Sequence, residues 1–333
     1  TPELDALAEQ GLHFTRVYAT GTRTVRGLEA LSLSVPPTPG HAIVTRPANS
    51  GLYTIGQVLR DAGYSTQYLY GGYATFDNMR DFFGGNGYTV IDRSAIASER
   101  IHHETIWGVA DEDLFEMALE QLDAQHATDR PFFAHIMTTS NHRPFTYPEG
   151  RIDIPSKSGR AGGVKYTDYA VGGFIKAARS KPWAANTLFV IVADHTHNGR
   201  GKQELPPQAY HIPLIMLAPH LKPTTVDTLS SQIDVAPTIL GILGLPYTSR
   251  FFGQDILTEG SRNPRAFLAN YQTVGLYRDG WVVELKPQRR VRLVKVDEHA
   301  TEVDEATLVE EAIAHYQVAA SAFKRGWLRA APP

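Results

Sequence analysis

The 333-residue chain has no cysteine. That excludes disulfides, thiolate metal ligands and a cysteine nucleophile, and leaves the redox compartment open. Long apolar runs are also missing. The run from Leu188 to Ala193 falls far short of the roughly 20 residues a membrane span needs, so the residues given read as soluble. No basic run occurs, and 32 Lys and Arg against 35 Asp and Glu give a net charge of -3. A nucleic-acid partner is therefore not expected. Nor is there an export signal, a P-loop, an HExxH pair or a dinucleotide fingerprint.

What is present is an ordinary globular composition: 42% hydrophobic and 20% charged residues, with 28 Gly and 21 Pro. Such a chain can bury a sizeable core, and its length suits one large α/β domain with a smaller appendage. It opens on "TPELDALAEQG", where Thr1 can cap a helix, Pro2 suits its first turn, Leu4 and Leu7 share a face and Gly11 ends it.

Helical and strand patterns then alternate. A helix from about Thr54 to Ala62 stops at Gly63 and "STQYLY" follows as a strand; amphipathic "DEDLFEMALEQLDAQ" precedes the strand "PFFAHIMTT". The helix "YTDYAVGGFIKAARS" leads into "TLFVIVAD", apolar throughout and rich in β-branched residues, as in a strand covered on both faces. After "HIPLIMLAP" and the helix "DVAPTILGILG", the stretches "AFLANY", "GWVVELKP" and "RVRLVKVD" read as a small antiparallel addition. A last helix runs from about Asp304 to Leu328. The expected fold is a mostly parallel central sheet sandwiched by helices. Residues 1–262 form the main domain, and 263–333 are an antiparallel addition and helix packed on it.

In open α/β sheets ligands collect beyond the carboxyl ends of strands. Asp194 and His195 sit where "TLFVIVAD" runs out and offer one hard oxygen and one imidazole, a pairing suited to Zn²⁺ or Mn²⁺. A turn cap plus a surface histidine is the plainer alternative. His142 in "SNHRPF" follows another strand, and Asn78 and Arg80 follow a third through a Gly71-Gly72 loop. Arginine matches phosphate geometry, although a solvated arginine accounts equally well for Arg80 alone. Thr24 lies between Arg23 and Arg26 at the start of a helical run. Its hydroxyl is a weak nucleophile unless a divalent cation and a helix N-terminus activate it, and helix capping is the simpler role.

In combination and in this order, these segments resemble the alkaline phosphatase and sulfatase superfamily, and within it the lipoteichoic acid synthase-like phosphoglycerol transferases. The resemblance rests on "TPELDALAEQGLHFTRVYATGTRTVRGLEA", "FDNMRDFF", "TTSNHRPF" and "VADH" followed by "YHIPLIMLAP", and covers roughly Thr1 to Leu257. It implies Thr24 as a metal-bound nucleophile that is transiently phospho-esterified, with Asp194 and His195 as metal ligands and Mn²⁺ ahead of Zn²⁺ or Mg²⁺. It implies Arg80 and His142 as phosphoglycerol-binding residues, Asn78 assisting and His142 also protonating the leaving alkoxide. Arg23 and Arg26 rank below these for phosphate contact, and His197 and His211 lower still. The donor would be a phosphatidylglycerol-type lipid, and the acceptor a glycan or polymer hydroxyl. The location would be the extracytoplasmic face of a bacterial cytoplasmic membrane, the periplasmic side in a Gram-negative cell.

Sulfatase chemistry proper needs a formylglycine precursor before Pro and Arg, and "SVPPT" at Ser34 lacks the arginine. Phosphoethanolamine transferases and hydrolases of the same fold remain alternatives, as does a lipid-sensing domain without catalysis. Family members carry a strand ending in a metal-ligating Glu shortly upstream of the first helix, and an N-terminal bundle of membrane helices. Neither lies in the residues given, so these residues by themselves are expected to be a poor catalyst.

Overall fold

The computed structural model describes residues 1–196, 204–258, 260 and 262–330. Strands follow one another as β1 (Leu12–Tyr18), β2 (Ser65–Tyr70), β3 (Thr89–Asp92), β4 (Phe132–Met137), β5 (Phe189–Val192), β6 (His211–Leu217), β7 (Thr224–Val226), β8 (Ser230–Ser231), β9 (Ala266–Ala269), β10 (Val274–Arg278), β11 (Trp281–Lys286) and β12 (Arg290–Lys295). The α-helices are α1 (Pro2–Ala8), α2 (Thr24–Leu33), α3 (Ile55–Asp61), α4 (Met79–Gly85), α5 (Asp111–His126), α6 (Arg160–Arg179), α7 (Val235–Ile242) and α8 (Glu305–Lys324). The expected α/β class is what forms, with the strands gathered into three sheets. One is ordered β5-β6-β1-β7 with β8 on β1, one β3-β2-β4, and one β12-β11-β10-β9. The segments β1, β3, β7, β8 and β10 escape the sequence pattern: histidine and arginine interrupt β1, and the others are only two to five residues long.

The chain divides into two compact units built from interleaved segments. The first comprises Thr1–His13, Leu59–Val190 and Ile215–Thr224, and the second Phe14–Val58, Ile191–Leu214 and Thr225–Pro333.

In the first unit β2 is central, parallel to both neighbours, with Tyr70 level with Asp92 of β3 and Met137 of β4. After its first residue β2 is buried throughout, and Tyr68 stacks on Phe83 with ring centroids 3.7 Å apart. Leu69, Ile96, Val109, Leu114, Met117 and Ala118 form the core beneath α5. The cap on α1 differs from the sequence expectation. Thr1 donates its hydroxyl to Asp5, while the buried carboxylate of Asp168 on α6 accepts the Glu3 and Leu4 N–H groups at 3.1 and 2.7 Å. A charged cap from a distant helix satisfies two orphan donors and docks α1 in the same stroke.

In the second unit β1 and β8 run parallel, with Val17 opposite Ser230. The antiparallel sheet β9 to β12 forms as expected, with Leu276 opposite Phe267 and Val283. One core joins it to the helices: Ala30 of α2 and Ile233 pack with Phe267, Leu276, Val283, Leu308, Ala312 and Tyr316. Residues 266–324 are thereby built onto α2.

One expectation is corrected. Every residue of β5 is half-buried, as is every residue of β4. For β5, which ends its sheet order, this departs from the coverage on both faces that the sequence pattern suggested.

Beneath the antiparallel sheet Asp234 and Arg265 form an ion pair at 2.7 Å, both buried. Asp234 also accepts the N–H groups of Ser231 and Gln254. Removing the arginine leaves a buried carboxylate without its counter-charge, which costs about 3–5 kcal/mol. Arg265→Ala should lower the free energy of unfolding by that amount in a urea titration. A change below about 0.5 kcal/mol would show the pair to be energetically idle.

Candidate active site

Thr24, Asn78 with Arg80, His142, and Asp194 with His195 each lie just past the carboxyl end of a strand, respectively β1, β2, β4 and β5. Thr24, Asp194 and His195 belong to the second unit, and Asn78, Arg80 and His142 to the first.

In the second unit, α2 starts at Thr24 itself. Arg23, in an extended conformation, holds the capping position without a side-chain cap bond. The capping role is thus excluded for Thr24. Its side chain is half-buried at the helix's positive end, and among the described residues its hydroxyl has no hydrogen-bond partner. One turn on, Gly27 meets the end of β5: a Cβ there would stand 2.0 Å from the Asp194 carbonyl oxygen. The fully buried Gln232 completes the join. Its amide donates to the Ala193 and Asp194 carbonyls at 2.9 and 2.8 Å, and its Oε1 accepts the Thr20 N–H at 3.2 Å.

Asp194 and His195 face one another. Asp194 Oδ1 accepts the His195 N–H at 2.8 Å, and Oδ2 stands 3.6 Å from His195 Nε2. His195 Nδ1 lies 2.8 Å from the Thr196 carbonyl, an arrangement that puts the proton on Nδ1 and leaves the Nε2 lone pair available. Among the described residues no group of three or more His, Cys, Asp or Glu could hold a metal. The donors present are one carboxylate, one imidazole and the Thr24 hydroxyl. That mixed oxygen and nitrogen set is chemically compatible with a divalent first-row cation.

The remaining candidates here separate clearly. Arg26 is committed to the fold: it pairs with the buried Glu29 at 2.6 Å, and Glu29 in turn accepts the Ile43 N–H. Arg23 is exposed and reaches the Tyr271 hydroxyl at 3.4 Å. His211 bonds the Thr15 carbonyl at 2.7 Å and so ties β6 to β1. His197 lies outside the described residues.

In the first unit, Asp77 and Asn78 adopt consecutive left-handed conformations (φ 49° and 62°) immediately before α4. Asp and Asn tolerate this region better than other side chains, yet two in a row mark a strained turn of the kind found at binding sites. The turn delivers Arg80 to Asp92, at 2.6 Å. Burial pushes the Asp92 carboxyl up, but bonds from Ser94 and Ala74, with the Arg80 charge, outweigh it and leave its pKa below the ordinary value.

His142 is exposed and packs against Trp107 with the rings tilted by 41° and their centroids 3.7 Å apart, while Phe76 meets Trp107 edge-on at 5.7 Å. The Trp107 indole N–H donates to the Arg143 carbonyl at 2.6 Å. The aromatic row thereby links the Arg80 turn to the His142 loop. Beneath that loop, Asp111 is fully buried and accepts the Thr139 and Ser140 N–H groups at 2.9 and 3.0 Å. Burial raises its pKa, against those bonds. Gly72 is required where the loops meet, since a Cβ there would stand 2.3 Å from the Trp107 carbonyl oxygen.

Gln232, Asp92, Trp107 and Asp111 carry no motif of their own and were missed in the sequence. An acidic residue closing the short β-like run "TVID" was the sole hint, and it pointed only to Asp92.

Comparison with known proteins follows from this geometry. The family model described as Sulfatase matches residues 1–245. The lipoteichoic acid synthase-like protein YvgJ of Bacillus subtilis is 25% identical over 81% of this chain and 48% of its own length. Phosphoglycerol transferase I of Xanthomonas campestris is 24% identical over 77% of this chain and 39% of its own. A crystal structure of an alkaline phosphatase superfamily protein from Vibrio parahaemolyticus superposes with a TM-score of 0.92 at 34% identity, covering 99% of this chain and 83% of that one. The chain spans less than half the length of the first two relatives.

Two outcomes test the geometry. Gly27→Ala would ordinarily stabilise a helix interior by about 1 kcal/mol. Here the added methyl collides with backbone, so the variant should lose about 1–3 kcal/mol in thermal or urea unfolding; a gain would show that α2 is free to move. For Asp92 the depressed pKa means stability that is complete above the ordinary Asp value of about 4 and is lost as pH falls through the lower folded value. Urea midpoints measured from pH 6 to pH 2.5 should therefore converge for wild type and Asp92→Asn at the acid end. A constant gap would mean that the carboxylate does not titrate with folding.

Proposed function

The chain belongs to the sulfatase family of the alkaline phosphatase superfamily, and on that premise we propose that it is a metal-dependent phosphoglycerol transferase. The donor is a phosphatidylglycerol-type lipid, and the acceptor is a hydroxyl on a glycan or growing polymer. The names of the Bacillus and Xanthomonas relatives support this choice of transferred group. The observation that carries the reading is the Thr24 hydroxyl, which is half-buried, not engaged in capping and borne by the helix that rests on Asp194 through Gly27.

The reaction consists of two displacements. Thr24 Oγ attacks the phosphodiester phosphorus, its proton leaves, and the bond from phosphorus to the diacylglycerol oxygen breaks; that oxygen departs protonated as diacylglycerol. The acceptor hydroxyl oxygen then attacks the same phosphorus, the bond to Thr24 Oγ breaks, and Thr24 recovers a proton. A divalent cation held by Asp194, His195 and Thr24, preferentially Mn²⁺ over Zn²⁺ or Mg²⁺, would supply the charge that makes a threonine hydroxyl nucleophilic at neutral pH. The N-terminal dipole of α2 adds to that effect. Arg80, held by Asp92, offers a guanidinium to phosphate oxygens, with Asn78 beside it and Arg23 as a further cation. The His142 imidazole suits the protonation of a departing alkoxide.

The reading places the enzyme at the extracytoplasmic face of the cytoplasmic membrane. Among the described residues no helix is long and apolar enough to cross a bilayer.

Intact mass of the full-length protein after brief incubation with phosphatidylglycerol and Mn²⁺ tests the proposal. Wild type should carry a phosphoglycerol adduct, and Thr24→Ala should carry none, with turnover reduced at least about 10³-fold. Chelation should remove the adduct and Mn²⁺ restore it. Full turnover by the alanine variant would sink the phospho-threonine pathway.

A further inference from the structure

One face of the first unit exposes large apolar side chains next to His142. Ile106 is 89% exposed, Tyr73 55% and Phe76 46%. Single exposed hydrophobics are commonplace, but these are contiguous. Ile106 precedes Trp107, Phe76 packs edge-on against Trp107, and Tyr73 lies under Arg93, which is tied to the Glu104 that lines the same cleft as Ile106 and Trp107. Beside them a cleft of about 750 Å³ is lined by Ile106, Trp107, Pro144, Phe145 and Arg143, with Glu104, Thr105 and Thr146 at its edge.

The charges around this face are not balanced internally. Arg93 is tied to Glu104, yet among the described residues neither Arg143 nor Arg160 has a carboxylate within ion-pair distance. Arg160 lies over the Phe145 ring at 4.8 Å. Its pKa is lowered by burial and then by the Arg143 charge, so the two guanidiniums repel one another. An apolar patch that includes Tyr and Trp, bordered by the guanidiniums of Arg143 and Arg160, has the chemistry of the interface between bilayer and water. There aromatic rings settle at head-group level and basic residues meet anionic lipid.

We propose that Tyr73, Phe76, Ile106 and Trp107, with Arg143 and Arg160, form a docking surface for an anionic phospholipid bilayer. The face rests on the bilayer with Ile106 at its most protruding point, and the arginines engage lipid phosphates beside His142. The inference deepens the transferase reading, because it presents the membrane-borne donor to the residues assigned to its head group.

The test is flotation of the 333-residue chain with vesicles of phosphatidylglycerol and phosphatidylcholine, or of phosphatidylcholine alone. Wild type should float with the anionic vesicles and much less with the neutral ones, and high salt should release it. Ile106→Asp, at a position 89% exposed and so without consequence for the core, should cut the bound fraction about tenfold, as should the double variant Arg143→Glu with Arg160→Glu. Turnover of a dispersed short-chain phosphatidylglycerol by full-length Ile106→Asp should match wild type. Absence of flotation, or equal flotation of both variants, overturns the docking surface even if transfer is intact. Variant-sensitive flotation without any phosphoglycerol transfer overturns the function and leaves the surface standing.

Discussion

The close approach of α2 to the end of β5 is the constraint on which the position of Thr24 depends. Gly27 has no side chain because the Asp194 carbonyl occupies the space where one would be. That contact fixes the first turn of α2 and therefore Thr24. Gln232 locks the same junction from the other side with three hydrogen bonds made in a fully buried position, where leaving any of them unmade would be expensive. The C-terminal sheet has a role in this as well. Its core includes Ala30 and Ile233, so the back of α2 and the turn that carries Gln232 are held by residues far along the chain. A preorganised hydroxyl does not need to be repositioned as charge develops, which is the larger part of catalysis by electrostatic means.

Much of this architecture is legible in the sequence, and the reasons are physical. The segment "STQYLY" is a buried central strand and "DEDLFEMALEQLDAQ" a helix because period and length both survive in the residue pattern. Arg80, His142, Asp194 and His195 were candidates because ligands in an open α/β sheet collect at strand ends and each follows a strand-like run, whereas Thr24 was a candidate from its place between two arginines at the start of a helical run. Where the reading failed, the deciding partner was remote. Asp168 caps α1 across 165 positions of sequence, and no local window contains that information. The half-burial of β5 is likewise decided by the whole fold, not by its residues.

The supporting residues were illegible for a related reason. Asp111, Asp92 and Gln232 are ordinary polar residues whose importance comes from being buried, and burial is decided by the whole fold. An acidic residue opening a helix, as Asp111 does, looks like a favourable dipole partner. In the structure it binds the loop before His142 instead, by accepting Thr139 and Ser140 N–H groups. Trp107 is similar: an isolated tryptophan next to a glycine gives no sign that it joins Phe76 to His142.

The two units also carry different kinds of chemistry. A hydroxyl, a carboxylate and an imidazole can activate attack on many tetrahedral phosphorus or sulfur centres, so Thr24, Asp194 and His195 do not by themselves select a substrate. Selection requires groups that read what is attached to the reacting centre. Under the proposed reading the first unit supplies those groups: a guanidinium fixed by a buried carboxylate, an exposed imidazole against an indole ring, and an apolar margin beside Arg143 and Arg160. Under the proposed reading, head-group and membrane preference are determined there, on loops after β2 and β4, while reactivity is determined by α2 and the end of β5. Loops can change identity with little effect on a core, whereas Gly27 and Gln232 cannot change without disturbing the junction that positions Thr24. One fold can then retain its reaction type while its loops adapt to new head groups.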